Sequence, residues 1–382
     1  MKVQICQGYN GELNLWNFEN VTLQGYNLYY PNVFLHSNNE LLIMPVNERT
    51  MSISKDTSTF DIHFDILNGN KKVEYLVYFF IYNTDNYFHF LYDSLPILYQ
   101  FFELRKLYPN MKLLMNPKYK YPFIFECLEL LDITKSDILY AQSETQYSKI
   151  YVSNSLTHDG RSNDPPHPAI WSIYERMKTN AIKNLIETPL KFYISRRSWI
   201  HGDTSNIGTN YTTRRKLENE DELVELLILK GYREVFCENL TMSEKIQYFT
   251  NATDIIGAIG GGMCNCVFAS NSCNVLSINS PEFDIVNKRF LYTLNHTKLI
   301  QYKDTWTTSN LYRRVKFNNN IGEIISVDGE ILKINIGKNI TGWNLEDEYD
   351  QCKVNIKAVI FLDNGLNSPW KIDIIKMMTV VK

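Results

Sequence analysis

Long apolar runs, an excess of charge and paired cysteines are all missing from this chain, and each absence removes a class of protein. No uninterrupted apolar stretch approaches the ~20 residues that a membrane-spanning helix needs. Met1-Lys2-Val3-Gln4 leads into Gly8, Asn10 and Glu12 without the apolar segment of a signal peptide. A membrane-crossing or exported protein is therefore not expected. The 39 basic and 42 acidic residues give a net charge of −3 without a long basic run, which leaves little for a nucleic-acid groove. Seven cysteines, at 6, 127, 237, 264, 266, 273 and 352, are scattered and odd in number, the pattern of free thiols in a reducing compartment. Cys264 and Cys266 lack the second ligand pair that a zinc site requires, so small thiols packed near a turn are expected. No internal repeat stands out at solenoid periods.

What is present is a globular chain of 382 residues with 44% hydrophobic residues, too long for one typical core. Residues 1–75 alternate short apolar runs with Asn and Gly, the pattern of short strands and hairpins. Tyr75–Tyr82 reads as a strand covered on both faces, followed by a long helical pattern to about Leu107. Strand-like Lys112–Met115, helix-like Pro122–Leu131, and strand-like Ile138–Tyr140 and Lys149–Val152 continue a βα alternation, the mark of a parallel sheet. After a helix at 169–186, a second alternation begins near 190: strand Lys191–Ser195, helix Leu223–Lys230 closed by Gly231, strand Glu234–Phe236, a capped helix at Thr241–Phe249, and strands ending at Gly257 and Ile278. Beyond Tyr302 strands separated by Asn and Gly turns predict a β-rich appendage. The expected division is 1–186, 187–300 and 301–382.

Three groups of residues could carry chemistry. The first is Asp254-Ile-Ile-Gly-Ala-Ile-Gly-Gly-Gly-Met-Cys-Asn265, a strand entering a glycine turn and a helix start near Met263. Its glycines are able to take positive φ and admit a ligand closely, and the helix end offers N–H groups to a diphosphate. The second is Asn86, His89 and Asp93, on one side of the helix after the Tyr75–Tyr82 strand, where open α/β sheets bind ligands. A His and an Asp within reach make a base tuned near neutrality; the alternative is an ordinary imidazole with Asp93 and Ser94 capping a helix before Pro96. The third is basic: Arg196 and Arg197 after the 191–195 strand, and Arg214 and Arg215 ahead of the next helix. Paired arginines match phosphate oxygens bidentately, unless they are solvated loop charges. The loop 157–168, with His158 and His167, either lines an acceptor site or is a surface linker. Glu282 stands where a carboxylate could hold a ribose.

Taken in order, Asn86-Tyr-Phe-His-Phe-Leu-Tyr-Asp-Ser-Leu-Pro96, Tyr193-Ile-Ser-Arg-Arg197, Arg214–Leu223 and Ile256–Asn265 resemble glycosyltransferase family 61 over residues 75–285. The resemblance implies an α/β architecture of GT-B type, two Rossmann-like domains facing a cleft, and inverting transfer from a nucleotide sugar to a hydroxyl of a glycan or glycoprotein acceptor. It places Asn86, His89 and Asp93 in the N-terminal motif, with Asp93, or His89 assisted by Asp93, as the base. Asn86, His158 and His167 then fall on the acceptor side. Arg196, Arg197, Arg214, Arg215, Gly260, Gly261, Gly262, Met263, Cys264, Asn265 and Glu282 fall on the donor side. The chain departs from the family at Ile259, where many members have histidine, so whatever that imidazole does for the donor is absent or supplied elsewhere.

No two aspartates stand as Asp-x-Asp, an arrangement commonly used to hold a cation on a sugar diphosphate, so metal-independent transfer with no cofactor and a UDP-linked donor is expected. A non-catalytic nucleotide- or glycan-binding protein of the same fold is the alternative. A Rossmann oxidoreductase is disfavoured, because no acidic residue follows the glycine cluster in the expected context. The missing targeting signals suit a cytoplasmic enzyme, and the abundance of Asn, Ile, Lys and Tyr suits an A/T-rich microbial or viral genome.

Overall fold

Val77, Tyr78, Phe79 and Phe80 end the aromatic-rich run and have no polar face to offer water, so they sit buried in the middle of the first sheet. A computed structural model describes residues 2–5, 12–24, 34–37, 40–43, 71–80, 87–115, 121–142, 145–154, 156–157, 166–197, 215–281, 299–336, 350–365 and 367–381. In it β5 (Lys71–Phe79) pairs in parallel with β6 (Lys112–Met115) on one side and β8 (Thr145–Ser153) on the other, and β6 pairs in parallel with β7 (Ile138–Tyr140). Beyond β8 the sheet continues antiparallel through β2 (Leu15–Gln24), β3 (Phe34–Ser37) and β4 (Glu40–Ile43), with β1 (Lys2–Ile5) parallel to β4 at the edge. The order is β1-β4-β3-β2-β8-β5-β6-β7. The chain thus steps outward from β5 to β7 and then crosses back to lay β8 on the far side of β5.

The second sheet is wholly parallel, in the order β10-β9-β11-β12-β13, built from β9 (Lys191–Ile194), β10 (Arg233–Val235), β11 (Asp254–Ala258), β12 (Asn274–Ile278) and β13 (Leu299–Tyr302). Here too the chain steps from β9 to β10 and then crosses to β11 on the other side of β9. In each sheet the strand order reverses, between β5 and β8 in one and between β9 and β11 in the other, the position at whose carboxyl ends open α/β sheets form a ligand crevice.

The helical segment after β5 is not the single helix expected. It is α1 (Tyr87–His89), a π turn (Phe90–Ser94), a 3-10 turn (Leu95–Ile97) and α2 (Leu98–Leu107). Pro96 has no N–H to continue the regular ladder. Further on come α3 (Pro122–Leu130), α4 (Ile170–Ala181), α5 (Glu220–Leu229) and α6 (Met242–Asn251). Thr241 and Glu244 form the capping box of α6, as the sequence predicts. Asn219, whose residue type commonly caps a helix, makes no side-chain cap before α5; its amide pairs with the backbone N–H and C=O of Ile372 instead.

Both faces of the central strands β9, β11 and β12 are covered, which is why these strands are largely apolar. Phe192, Ile194, Ile255 and Val275 belong to the large cluster that also holds Val77, Phe101, Ile173 and Met177, so one apolar core runs from the first sheet to the second, with α4 packed on α6. Tyr193, Ile256, Leu276 and Ile278 belong to another cluster on the opposite face, with Leu223, Leu227, Trp370, Ile372, Ile374 and Met377. The Gln247 side chain ties down the connection between the two units, donating to the carbonyls of Ala181 and Asn184 and accepting from Ile186 N.

The expected appendage 301–382 is divided in the structure. β13 is the fifth strand of the second sheet, and β20 (Trp370–Ile372), paired with β14 (Thr305–Thr307), returns with α7 (Ile374–Val380) to that sheet's core. What stands apart is an antiparallel sheet of β15 (Arg314–Phe317), β16 (Asn320–Asp328), β17 (Ile331–Ile336), β18 (Asp350–Asn355) and β19 (Ile360–Phe361) around Val315, Ile324, Leu332, Ile334 and Val354. No helix among the described residues is long and apolar enough to cross a membrane.

Candidate functional site

At the first crevice the π turn decides the geometry. Leu95 N reaches back to Phe90 O, five residues away, so the Leu91 carbonyl is released and takes the Tyr174 hydroxyl at 2.8 Å. Pro96 cannot serve the Tyr92 carbonyl, and Thr157, just past β8, does so at 2.8 Å. The same Thr157 hydroxyl lies 2.9 Å from Asp93 Oδ1, sharing its one proton between the two acceptors. Asp93 Oδ2 is 2.7 Å from His89 Nδ1, one turn back. Asp93 is 1% exposed and the His89 side chain 31%. With Asp93 buried and both its oxygens engaged, the reachable member of the pair is His89. A proton held on Nδ1 by the carboxylate puts the basic lone pair of the ring on Nε2. Ser94, expected with Asp93 to cap the helix before Pro96 in the alternative reading, makes no side-chain cap there. Asn86 lies outside the described residues.

At the second crevice Arg196 follows β9 and lies against the Gly260 backbone that follows β11. Its Nη1 donates to Ile259 O at 2.9 Å, and its backbone N–H donates to Glu220 Oε1 at 2.7 Å. Glu220 Oε1 also accepts the Tyr193 hydroxyl at 2.8 Å. Burial pulls the Arg196 guanidinium down from its ordinary value, and burial pushes the Glu220 carboxyl up against these hydrogen bonds. Arg196 Nε is buried without a partner among the described residues.

The glycines earn their place by space and not by handedness. Gly231, Gly329 and Gly365 are the positive-φ glycines among the described residues, and Gly260 is extended. A Cβ on Gly260 would collide with Arg196 Nη1, one on Gly262 would come 2.6 Å from Ile194 Cγ2, and one on Gly257 2.6 Å from Met263 Sδ. The helix expected from Met263 is a 3-10 helix, Gly261–Phe268. Met263, Cys264 and Asn265 point their side chains inward and are buried, so of the expected donor residues 260–265 the exposed part is the backbone around Gly261.

The other expected residues fall differently. The Arg197 fork is taken by Glu234 at 3.0 and 2.7 Å and by Asp221 at 2.8 Å, so it serves an ion-pair network rather than a phosphate. Arg215 O accepts from Trp370 Nε1 at 3.2 Å, which places Arg215 where the C-terminal strand docks. His167 Nδ1 accepts from Ala169 N at 3.1 Å at the start of α4, and burial lowers its pKa. That role at a helix start, not an acceptor contact, is what the structure gives His167. His158, Arg214 and Glu282 lie outside the described residues.

The two crevices are joined directly. Tyr87 Oη donates to Asn265 Oδ1 at 2.5 Å, and Tyr92 Oη donates to Cys264 O at 3.1 Å. Burial pushes the Tyr87 phenol well above its ordinary value, so this hydroxyl stays a donor. Asn265 Nδ2 in turn closes on Gly262 O at 2.9 Å. The segment carrying His89 and the glycine turn beside Arg196 are thereby held together by two tyrosines.

Residues 87–276, about half of the chain, match the family model described as Glycosyltransferase 61. The chain belongs to that family. The match begins at α1 and ends within β12, so the family 61 segment holds His89 with Asp93 and Arg196 with Gly260, and leaves out β5, the antiparallel half of the first sheet, the end of β12 and everything past it. Among curated proteins no match is found. Membership makes glycosyl transfer, with a sugar donor and a glycan acceptor, the chemistry for which the site has to account. Ile259, the family departure, is 2% exposed and part of the main core, and only its carbonyl reaches the site, through Arg196.

Sequence reasoning passed over Thr157, Tyr174, Glu220 and the two tyrosines, Tyr87 and Tyr92, that reach Asn265 and Cys264. Pro96 was the available signal for Thr157, because a proline one turn after Tyr92 orphans that carbonyl.

Proposed function

We propose that the protein is an inverting glycosyltransferase of GT-B type that takes its sugar from a nucleoside diphosphate. His89 removes the proton from an acceptor hydroxyl, and the freed oxygen attacks the anomeric carbon. The bond from that carbon to the diphosphate oxygen breaks with its electron pair going to the leaving group. Asp93 orients the imidazole and balances the charge it acquires. Arg196 and the backbone N–H groups at Gly260–Gly262 meet the negative charge growing on the diphosphate, in a setting too dry to screen it.

The observation that carries this reading is the strand order. Both sheets reverse at one point, and the two residue groups with the right chemistry, His89 with Asp93 and Arg196 with Gly260, occupy those two points and are tied to each other through Tyr87 and Tyr92. Ligands of open α/β sheets bind at such reversals.

The test is a panel of UDP-, GDP- and dTDP-linked sugars, followed for nucleotide release with and without glycan acceptors. Release of a nucleoside diphosphate from one donor, with the anomeric configuration inverted in the product, is the expected result. A protein that binds a nucleoside diphosphate yet releases none from any donor is the non-catalytic alternative, and one that binds no nucleotide contradicts the reading.

A further inference from the structure

Buried polar atoms without partners are costly, so their clustering at one place in a fold asks for a cause. Among the described residues most, though not all, of these atoms lie along the carboxyl edge of the second sheet. Arg196 Nε follows β9, Glu238 Oε1 follows β10, and Ser277 Oγ, both polar atoms of the Asn279 amide and Ser280 Oγ lie at the end of β12. Asn279 is 2% exposed, Ser277 5% and Ser280 6%. The backbone around them is satisfied, with Asn279 N on Tyr302 O and Ile259 N on Ile278 O, both at 2.9 Å, so the strand end is in regular register and the side chains alone are left over.

We infer that Asn279, with Ser277 and Ser280 on either side, is a subsite for the vicinal hydroxyls of the donor; this rests on the donor site proposed above. Position favours it. Strands lie about 4.8 Å apart, so Asn279 is one strand from the Ile259–Gly260 backbone, on the side away from Arg196. A diphosphate held between Arg196 and the Gly260–Gly262 amides therefore brings one of its two attached rings to Asn279. By strand alternation Ser277 and Asn279 share the face of Val275, which is also the face of Ile194 and Ile255.

Chemistry favours it as well. The Asn279 amide and the Ser277 hydroxyl on its face, with the Ser280 hydroxyl at the next residue, offer both donors and acceptors and carry no charge. A phosphate would call for cations and a metal for carboxylates, whereas hydroxyl groups both give and accept hydrogen bonds, as this set does. A site built to bond hydroxyls leaves its own groups unpaired when they are missing, which makes it selective.

The hydroxyls belong either to the ribose or to the transferred sugar, and titration calorimetry distinguishes them. Wild type, Asn279→Leu and Ser280→Ala are titrated with UDP, GDP and CDP, with their 2′-deoxy analogues, and with their hexose conjugates. If the ribose is bound, Asn279→Leu weakens the nucleoside diphosphate about tenfold and abolishes the preference over the 2′-deoxy analogue. If the sugar is bound, the variant holds the diphosphate as wild type does and the conjugate about tenfold more weakly.

A wild type that binds while the variants bind every ligand within twofold of it overturns this subsite alone. A wild type that binds nothing overturns the donor site with it. An independent readout uses the ligand-free protein: Ser277→Ala removes one unpaired oxygen and raises the melting temperature by roughly 2 °C, whereas a fall would mean that the oxygen is satisfied without ligand and the inference is wrong.

Discussion

The two crevices share a topology and differ in how completely their buried polar groups are satisfied. At the first, Asp93 has both oxygens bonded and the backbone carbonyls released by the π turn and Pro96 are taken up by Tyr174 and Thr157. At the second, Arg196, Glu238, Ser277, Asn279 and Ser280 keep buried atoms without partners among the described residues. A proton-transfer unit works best when its geometry is fixed beforehand, since a misplaced base loses rate steeply. A binding edge is different, because its unpaired groups are the ones a ligand will pair. On the function proposed above, the contrast suits chemistry at the first crevice and recognition at the second.

The contrast is broken most severely at His89. His89→Ala should lower kcat about a hundred- to ten-thousandfold while leaving nucleoside diphosphate affinity within twofold of wild type. Asp93→Asn should also slow turnover and leave affinity alone, because it disturbs the ring and not the donor; either variant keeping half the wild-type rate contradicts the assignment.

A smaller effect is expected where the crevices join. Tyr87→Phe leaves Asn265 Oδ1 buried without its 2.5 Å partner, and urea unfolding should show a loss of about 1–3 kcal/mol. In the double variant with Asn265→Leu the loss should be less than the sum, and simple additivity would show that the bond does not couple the two.

The smallest effect concerns His167, away from the chemistry. Burial sets its folded pKa below its ordinary value near 6.5, so the unfolded chain binds the proton first as pH falls. Its contribution to stability is therefore complete above about pH 6.5 and is lost on acidification below that. His167→Asn, which keeps an acceptor for Ala169 N, should flatten the fall in melting temperature between pH 7.5 and 5.5, and an unchanged slope would show that other groups cause it.

Much of the architecture was legible in the residues, for reasons that explain what was not. The central strands of the second sheet are largely apolar because both faces are covered, and the capping box at Thr241 states where α6 begins. The return of β20 and α7 to that sheet was hidden, since Trp370, Ile372 and Met377 announce a buried surface and not which core receives it. In the site, the His89 to Asp93 spacing foretold the contact, but the broken helix that makes it did not follow from periodicity, which does not register a π turn. The glycine run suggests positive φ or a close approach, and the structure uses the second, since Met263, Arg196 and Ile194 leave no room for a Cβ at 257, 260 and 262. Arg197 next to Arg196 looks equivalent in sequence, yet strand alternation sends it to Glu234 and Asp221.

The central claim is that donor binding and proton transfer are separate tasks of the second and first crevices, and Gly260→Ala tests it most directly. Its new Cβ would meet the Arg196 guanidinium and push it out of place. Calorimetric titration with the nucleoside diphosphate that wild type binds should show affinity reduced at least about tenfold in Gly260→Ala and unchanged in His89→Ala, on the scale where each tenfold step is ~1.4 kcal/mol. Wild-type affinity in Gly260→Ala, or an equal loss in His89→Ala, would contradict that division.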